Sequence, residues 1–572
     1  LTDLFCSLTD VGWRQLRTSL DWISGEYLFR SSIFLLVVGG FWLGLWLLFL
    51  FHQRSNDFWR REFVDRLVPF LRTHEWRIVA ILVCLSSLGS AILAVFVLGA
   101  TPHVPDEVAY LFTAKALASG QCWLPAPPDG LEKAFEVPFL LTEHGRWYGK
   151  YPPTWPAVLA LGERFGVAWL VNPILDALAL LLFHRLARQW MGATRALLGT
   201  SLLASSPFFV IMGASLMSHP LTLVLHLCGL IAWTRLRRKD NSALSEIVLG
   251  ASFGATLALR PMDAVALWAV PVAWLLSSRW QDGRLEVRSV ARLLTSSLIC
   301  PLLALAYNVN VTGEVSLSLY ARYDPTDRLG FGPNVGWGGH NLFNGICGLV
   351  FNGFVLNEDL FGWPLSSLLL VGLGMLSVGR RGDDRRVAIW GISLLAVGYC
   401  LYFGHGIAYG ARYYHALLPF LVILTIDGID FVASLGGRSA LPATLLTVLF
   451  LAVLSVATYW PGRFEALQDY LLVASTPQSR IPPGSSRRLF VIGSSKPGEV
   501  EKYWGPFFWN PIGSGAKKDT KRPLVSGAVK PAEDGPLFIR DGPWVRDGRV
   551  SRAFPGYQIV PLDLAPFRLR SW

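Results

Sequence analysis

Residues 78–117 read IVAILVCLSSLGSAILAVFVLGATPHVPDEVAYLFTAKAL. The run from Ile78 to Ala100 is uncharged and long enough to cross a bilayer as a helix, which takes roughly 20 apolar residues. Two adjacent carboxylates, Asp106 and Glu107, come almost at once after it. Behind them Val108, Leu111, Phe112 and Lys115 fall at helical spacing, and Pro105 suits a first helical turn. The stretch therefore predicts a membrane span that delivers a second helix with two acids at its N-terminus, where free backbone amides favour negative charge.

Outward from this stretch the same composition continues. The chain has 572 residues, 52% of them hydrophobic, and a mean hydropathy of +0.42. That is too apolar for a soluble protein and too long for one span. The fold class expected is mainly α, a polytopic helical membrane protein with about twelve transmembrane helices between Ser31 and Trp460, counted at roughly 20 residues each. The first 30 residues carry Asp3, Arg14, Arg17, Asp21 and Glu26. They lack the apolar core of a removable signal peptide, and none is expected there.

The formal net charge of +11 speaks for topology and against a nucleic-acid partner, because the arginines gather in short loops of one parity. They stand at Arg54, Arg60, Arg61, Arg66 and Arg72, at Arg185, Arg188 and Arg195, and at Arg235, Arg237, Arg238 and Lys239. They return at Arg279, Arg284, Arg288 and Arg292, then at Arg380, Arg381, Arg385 and Arg386. Such loops mark the cytoplasmic side. The N-terminus, the Asp106/Glu107 loop and everything after Trp460 are then expected outside.

The chain divides into three regions. Residues 1–77 form an extra span (Ser31 to Phe51) and a linker; 78–460 form the membrane domain, with long external loops at 101–154 and 312–362; 461–572 form a small external domain. In that last region 17 Lys/Arg stand against 10 Asp/Glu, and "RLFVIG" and "PLFIRD" read as strands between Pro/Gly turns. It is expected to be α/β or β-rich, serving as a solvated cap or guiding an anionic acceptor. Short paired spans, Ala196 to Met212 with His219 to Thr234 and Ser245 to Leu259 with Met262 to Ser277, suggest external ends that stop below the surface and floor a cavity. Cys84, Cys228, Cys300 and Cys400 fall in spans; Cys6, Cys122 and Cys347 face outward, where a Cys122–Cys347 bridge is one option.

Adjacent like charges repel, so one of Asp106 and Glu107 is expected to have a raised pKa and to suit general-base work at a water-accessible cavity; the plainer alternative is an N-terminal helix pair. Three cations lie on the same side: Lys150 in "YGKYPPTWP", Arg260 in "LALRPMD" and Arg412 in "GARYYHALLP". Each alone reads as an interfacial side chain reaching for water. Together they would suit a phosphate at the membrane surface. His219 in "MSHP" and His340 in "GWGGHN" are candidates for substrate contact or for plain interfacial hydrogen bonding, and Tyr151 and Tyr413 stand beside the cations. Asp106, Glu107 and His219 are the candidate ligands for a divalent metal such as Mg or Mn, though their spacing does not require one. No GxxxxGK[ST] or GxGxxG element suggests a nucleotide.

The order "PDEVAYLFTAKAL", "GKYPPTWPAVLALG", "SPFFVIMGASLMSHPLTL", "GASFGATLALRPMDAV", "AYNVNVTGEV", "GARYYHALLPFLVIL" resembles the GT-C superfamily of membrane glycosyltransferases, nearest the branch of protein O-mannosyltransferases and lipid A aminoarabinose transferases, over about Ile78 to Ser434. The resemblance implies a polyprenyl-phosphate-linked sugar donor and a lipid, glycan or protein acceptor, met at the outer face of a bacterial inner membrane or the lumenal face of the endoplasmic reticulum; the arginine-rich loops and compact size favour the bacterial setting. It implies a catalytic acid in the first external loop, which falls on Asp106 with Glu107 as companion, and a Lys-Pro-Pro-like element at Lys150, Pro152 and Pro153, here with Tyr151 interposed. A transporter, for which Asp176 in "VNPILDALAL" would be the intramembrane acid, and a lipid-linked glycan ligase are the alternatives.

Overall fold

A computed structural model describes residues 66–238, 242–281, 286–315, 318–363, 366–376, 382–404, 406, 409–435, 440–464, 467, 488–493 and 537–563. The expected span Ser31 to Phe51 and Cys6 lie outside these residues.

The protein is a polytopic helical membrane protein. Among the described residues six helical segments are long and apolar enough to cross a membrane: Glu75–Val97, Ala168–Met191, Pro261–Gln281, Val287–Thr312, Arg412–Ser434 and Thr447–Phe464. Among the described residues the expected number of about twelve is not confirmed. The expected span Ala196 to Met212 is two helices, Ala193–Ala204 and Pro207–Ala214, bent by 55°. Pro207 explains the break: it has no N–H to give back to the preceding turn. The Ser206 side chain accepts from the Phe209 amide, capping the second piece. Other helices are short (Ala243–Leu259, Ser367–Leu376) or carry polar ends (His219–Arg237, Asp383–Cys400).

Close packing rests on glycine. Ala243–Leu259 lies along Val287–Thr312 through Gly250 and Gly254; a Cβ on Gly254 would stand 2.0 Å from the Ser297 carbonyl oxygen. Such close approach replaces the hydrophobic drive that helices lack inside lipid. The far side of Val287–Thr312 exposes Leu294, Leu298, Leu302 and Leu303, as a lipid-facing surface should.

The described arginines that flank the arginine-rich loops gather at one end of the bundle, where several are spent on internal ion pairs. Glu246 receives Arg279 at 2.7 Å and Arg292 at 2.6 Å, Arg385 meets Asp427 at 2.9 Å, and Arg188 meets Glu75 at 3.0 Å. These are built contacts as well as topological markers.

At the opposite end the first loop is ordered. Helix α1 (Pro105–Ala118) leads into a three-stranded antiparallel sheet of β1 (Leu124–Pro125), β2 (Leu140–Glu143) and β3 (Arg146–Gly149), with β3 central; nothing in the composition of the loop signals strands. The second loop folds into helix Leu319–Tyr323, a Gly332–His340 bridge and, from Leu342 to Asp359, a helix of 18 residues. Cys122 and Cys347 are free, correcting the option of a bridge. Cys122 packs with the Tyr148/Tyr307 cluster, whereas Cys347 sits on helix Leu342–Asp359.

The described part of the last region is α/β, with β4 (Arg488–Gly493) central between β5 (Leu537–Arg540) and β6 (Gln558–Asp563), all parallel. It rests on the first loop: Arg549 donates to the Gly130 carbonyl at 3.0 Å and Phe554 meets Phe135 edge-on.

Candidate active site

The two adjacent acids do different things. Glu107 is wholly buried and accepts four hydrogen bonds, from the amides of His103 (2.7 Å), Val104 (3.4 Å) and Leu216 (2.7 Å) and from the Tyr409 hydroxyl (2.8 Å). It closes the N-terminus of α1 on itself and ties that helix to two distant segments. Burial raises its pKa, against the amides that lower it; the expectation that Asp106 raises it is replaced by this cause.

Asp106 faces the other way. The Tyr151 hydroxyl donates to one carboxylate oxygen at 2.7 Å and Arg412 donates to the other at 3.3 Å. Burial alone would raise its pKa, but the Arg412 charge, the Tyr151 hydroxyl and Lys150 together hold it below the usual carboxylate value. The tyrosine interposed in the Lys-Pro-Pro-like element is thus what orients Asp106.

All three expected cations come together here. Arg260, at the end of helix Ala243–Leu259, pairs with Asp263 and donates to the Tyr399 hydroxyl at 2.7 Å, which donates on to Asp263 at 2.6 Å. Tyr413 stacks on Tyr399 with centroids 4.5 Å apart, and the guanidinium of Arg260 (5.4 Å) and that of Arg412 (5.3 Å) both lie by the Tyr413 ring. Arg412 leaves its Nε buried without a hydrogen-bond partner. Lys150 meets Asp327 of the second loop at 3.3 Å. Its ammonium lies 3.8 Å from the centre of the Phe139 ring and 5.1, 5.3 and 5.6 Å from those of Tyr323, Tyr151 and Tyr320. Burial lowers the Lys150 pKa, with Asp327 and Asp106 opposing.

His219 is buried at the wall of this site, its ring 6.4 Å from that of His415. His340 is not brought in; it donates to the Cys400 carbonyl at 3.0 Å and fastens the second loop to the end of helix Asp383–Cys400. Nor do Asp106, Glu107 and His219 form a metal set: among the described residues no group of three or more His, Cys, Asp and Glu could hold an ion. The physical reason is local. Glu107 is consumed by backbone amides, and Asp106 already faces a guanidinium.

Sequence reasoning misses Asp263, Asp327, Tyr110, Tyr320, Tyr399, Tyr402 and His415. Asp263 carries a signal, lying three residues after Arg260 in the first turn of the next helix; Asp327 reaches Lys150 only through the tertiary fold. Asp176 is buried between helices, accepting from the Ser90 hydroxyl at 2.8 Å, with Gly213 directly against it. It joins three helices.

No family model matches the chain, and no curated protein matches it significantly. Among solved structures it is similar to ArnT from Cupriavidus metallidurans bound to undecaprenyl phosphate, with 14% identity over 79% of this chain and 86% of that one and a TM-score of 0.46. The apo form of the same protein gives 15% over 84% and 89%, at 0.45. The Archaeoglobus fulgidus oligosaccharyltransferase in complex with Zn and sulfate gives 13% over 84% and 62%, at 0.38.

Proposed function

We propose that the protein is a membrane glycosyltransferase that moves a sugar from a polyprenyl-phosphate-linked donor to an acceptor hydroxyl, on a lipid, glycan or protein, at the outer face of a bacterial inner membrane. The observation that supports this reading is the meeting of one carboxylate, Asp106, with Lys150, Arg260 and Arg412 in a tyrosine-lined site at the end of the bundle away from the arginine-rich loops.

In this reading Asp106 takes the proton of the acceptor hydroxyl. The acceptor oxygen bonds to the anomeric carbon from the face opposite the phosphate, so the configuration inverts. The bond from that carbon to the phosphate oxygen breaks, and its electron pair stays on the lipid phosphate, where the cations meet the growing charge. In the free protein Arg412 makes Asp106 a weak base. A phosphate that draws the Arg412 charge returns basicity to Asp106 when the acceptor needs it.

The test is turnover of a panel of radiolabelled polyprenyl-phosphate sugars by protein purified into lipid, with membrane extract supplying acceptors. Wild type is expected to consume one donor, and Asp106→Asn to lose about 10²–10⁴-fold, the usual scale for a general base. Equal turnover by Asp106→Asn would remove the assignment.

A further inference from the structure

Each cation of the site is matched by one carboxylate: Arg412 by Asp106, Arg260 by Asp263 and Lys150 by Asp327. A phosphate entering this balanced set must share a cation with its acid or take the acid's place. The three acids are not equally fixed. Asp106 and Asp263 are held by helical backbone in the first turns of Pro105–Ala118 and Pro261–Gln281, while all three acids accept a tyrosine hydroxyl, from Tyr151, Tyr399 and Tyr402. Asp327 lies in irregular backbone of the second loop, between the turn at Asp324 and the glycines at 330–339. Its carboxylate is tied only to partners on other segments, Lys150 at 3.3 Å and Tyr402 at 3.0 Å.

Lys150 would not be stranded by the loss of Asp327. The faces of Phe139, Tyr323, Tyr151 and Tyr320 surround its ammonium, and cation–π attraction keeps a desolvated ammonium in place. Resting on the proposed function, we infer that Asp327 is an exchangeable counter-ion. It occupies the anion position of the Lys150 ammonium until the donor's phosphate displaces it, and its departure releases residues 324–340 from the first loop. Donor binding is thereby coupled to movement of the second loop, and Asp327 acts as a positioning residue that sets how strongly phosphate must compete.

The experiment titrates undecaprenyl phosphate into nanodisc-embedded wild type, Asp327→Asn, Tyr402→Phe and Lys150→Ala, with hydrogen exchange monitored at 324–340. Asn keeps an acceptor for Tyr402 and removes the charge. Asp327→Asn is expected to bind about tenfold more tightly than wild type, the scale of one charge-assisted hydrogen bond removed from competition; Tyr402→Phe should fall between them, and Lys150→Ala should bind least. In wild type the lipid should speed exchange at 324–340; in Asp327→Asn exchange should be fast beforehand. If wild type binds but Asp327→Asn binds equally or more weakly, or if exchange in wild type does not respond to the lipid, the counter-ion role is overturned while the functional reading stands. If neither wild type nor Asp327→Asn binds, the functional reading falls and the exchange falls with it.

Discussion

Adjacent residues on a helix point in different directions, and Asp106 and Glu107 are put to different uses for that reason. Glu107 spends its carboxylate on three amides and a phenol. Glu107→Gln turns an acceptor into a donor facing donors, at a cost of about 1–3 kcal/mol; thermal unfolding in detergent should show the loss, with activity falling only as far as the folded fraction does. For Asp106 the sign runs the other way. A base must be deprotonated, and in the free protein Arg412 and Tyr151 keep Asp106 ionised below the ordinary carboxylate range. The acid limb of kcat/KM, which reports the free enzyme, should therefore lie below the ordinary carboxylate range. The acid limb of kcat should lie higher, because bound phosphate draws Arg412 away. Coincident limbs measured across the pH range would contradict the exchange of charge. The acid pair, Lys150, Arg260 and Arg412 are legible in the sequence because they border predicted spans on the side whose short loops carry few arginines. Their partners are not, since Asp327 and Tyr402 meet Lys150 only across the fold.

Among the elements, helix α1 is readable from Pro105 and its spacing, and helices Ala243–Leu259 and Pro261–Gln281 from their apolar runs. The sheet of the first loop is not: its strands are two to four residues long, too short for alternation to stand out. The bend at Pro207 is written in the sequence but hidden by the apolar residues around it. Packing between helices makes its own prediction. Gly254→Val would drive a side chain into the Ser297 carbonyl and should lower stability by about 1–3 kcal/mol, whereas Gly353→Ala meets nothing within 4 Å and should leave the melting temperature unchanged. The comparison of the two in one detergent isolates crowding from any general dislike of substituted glycine.

For the whole molecule, the sorting of charges places Asp129 and Ala243 at opposite ends, both exposed. In a cysteine-free background, Asp129→Cys should react with a membrane-impermeant maleimide in intact cells, and Ala243→Cys only after the membrane is opened. The reverse pattern would invert the topology and place the site in the cytoplasm. Arginine parity predicts this sidedness; it does not reveal that Arg279 and Arg385 are buried in ion pairs, because pairing needs the acids of other helices.

The bent helix also bears on how the protein is made. All eight residues of Pro207–Ala214 are buried, yet eight residues rise only about 12 Å and cannot hold a place in a bilayer alone. Only together with Ala193–Ala204 does it make a stretch long and apolar enough to cross a membrane. The Ser206 hydroxyl at the break donates to the carbonyl of Leu360, which leaves the ribosome 154 residues afterwards. The bend thus waits on chain synthesised long after it, and a nascent protein stalled before that point would hold Asp106, Lys150 and Arg260 in the membrane without Tyr399, Arg412 and Tyr413.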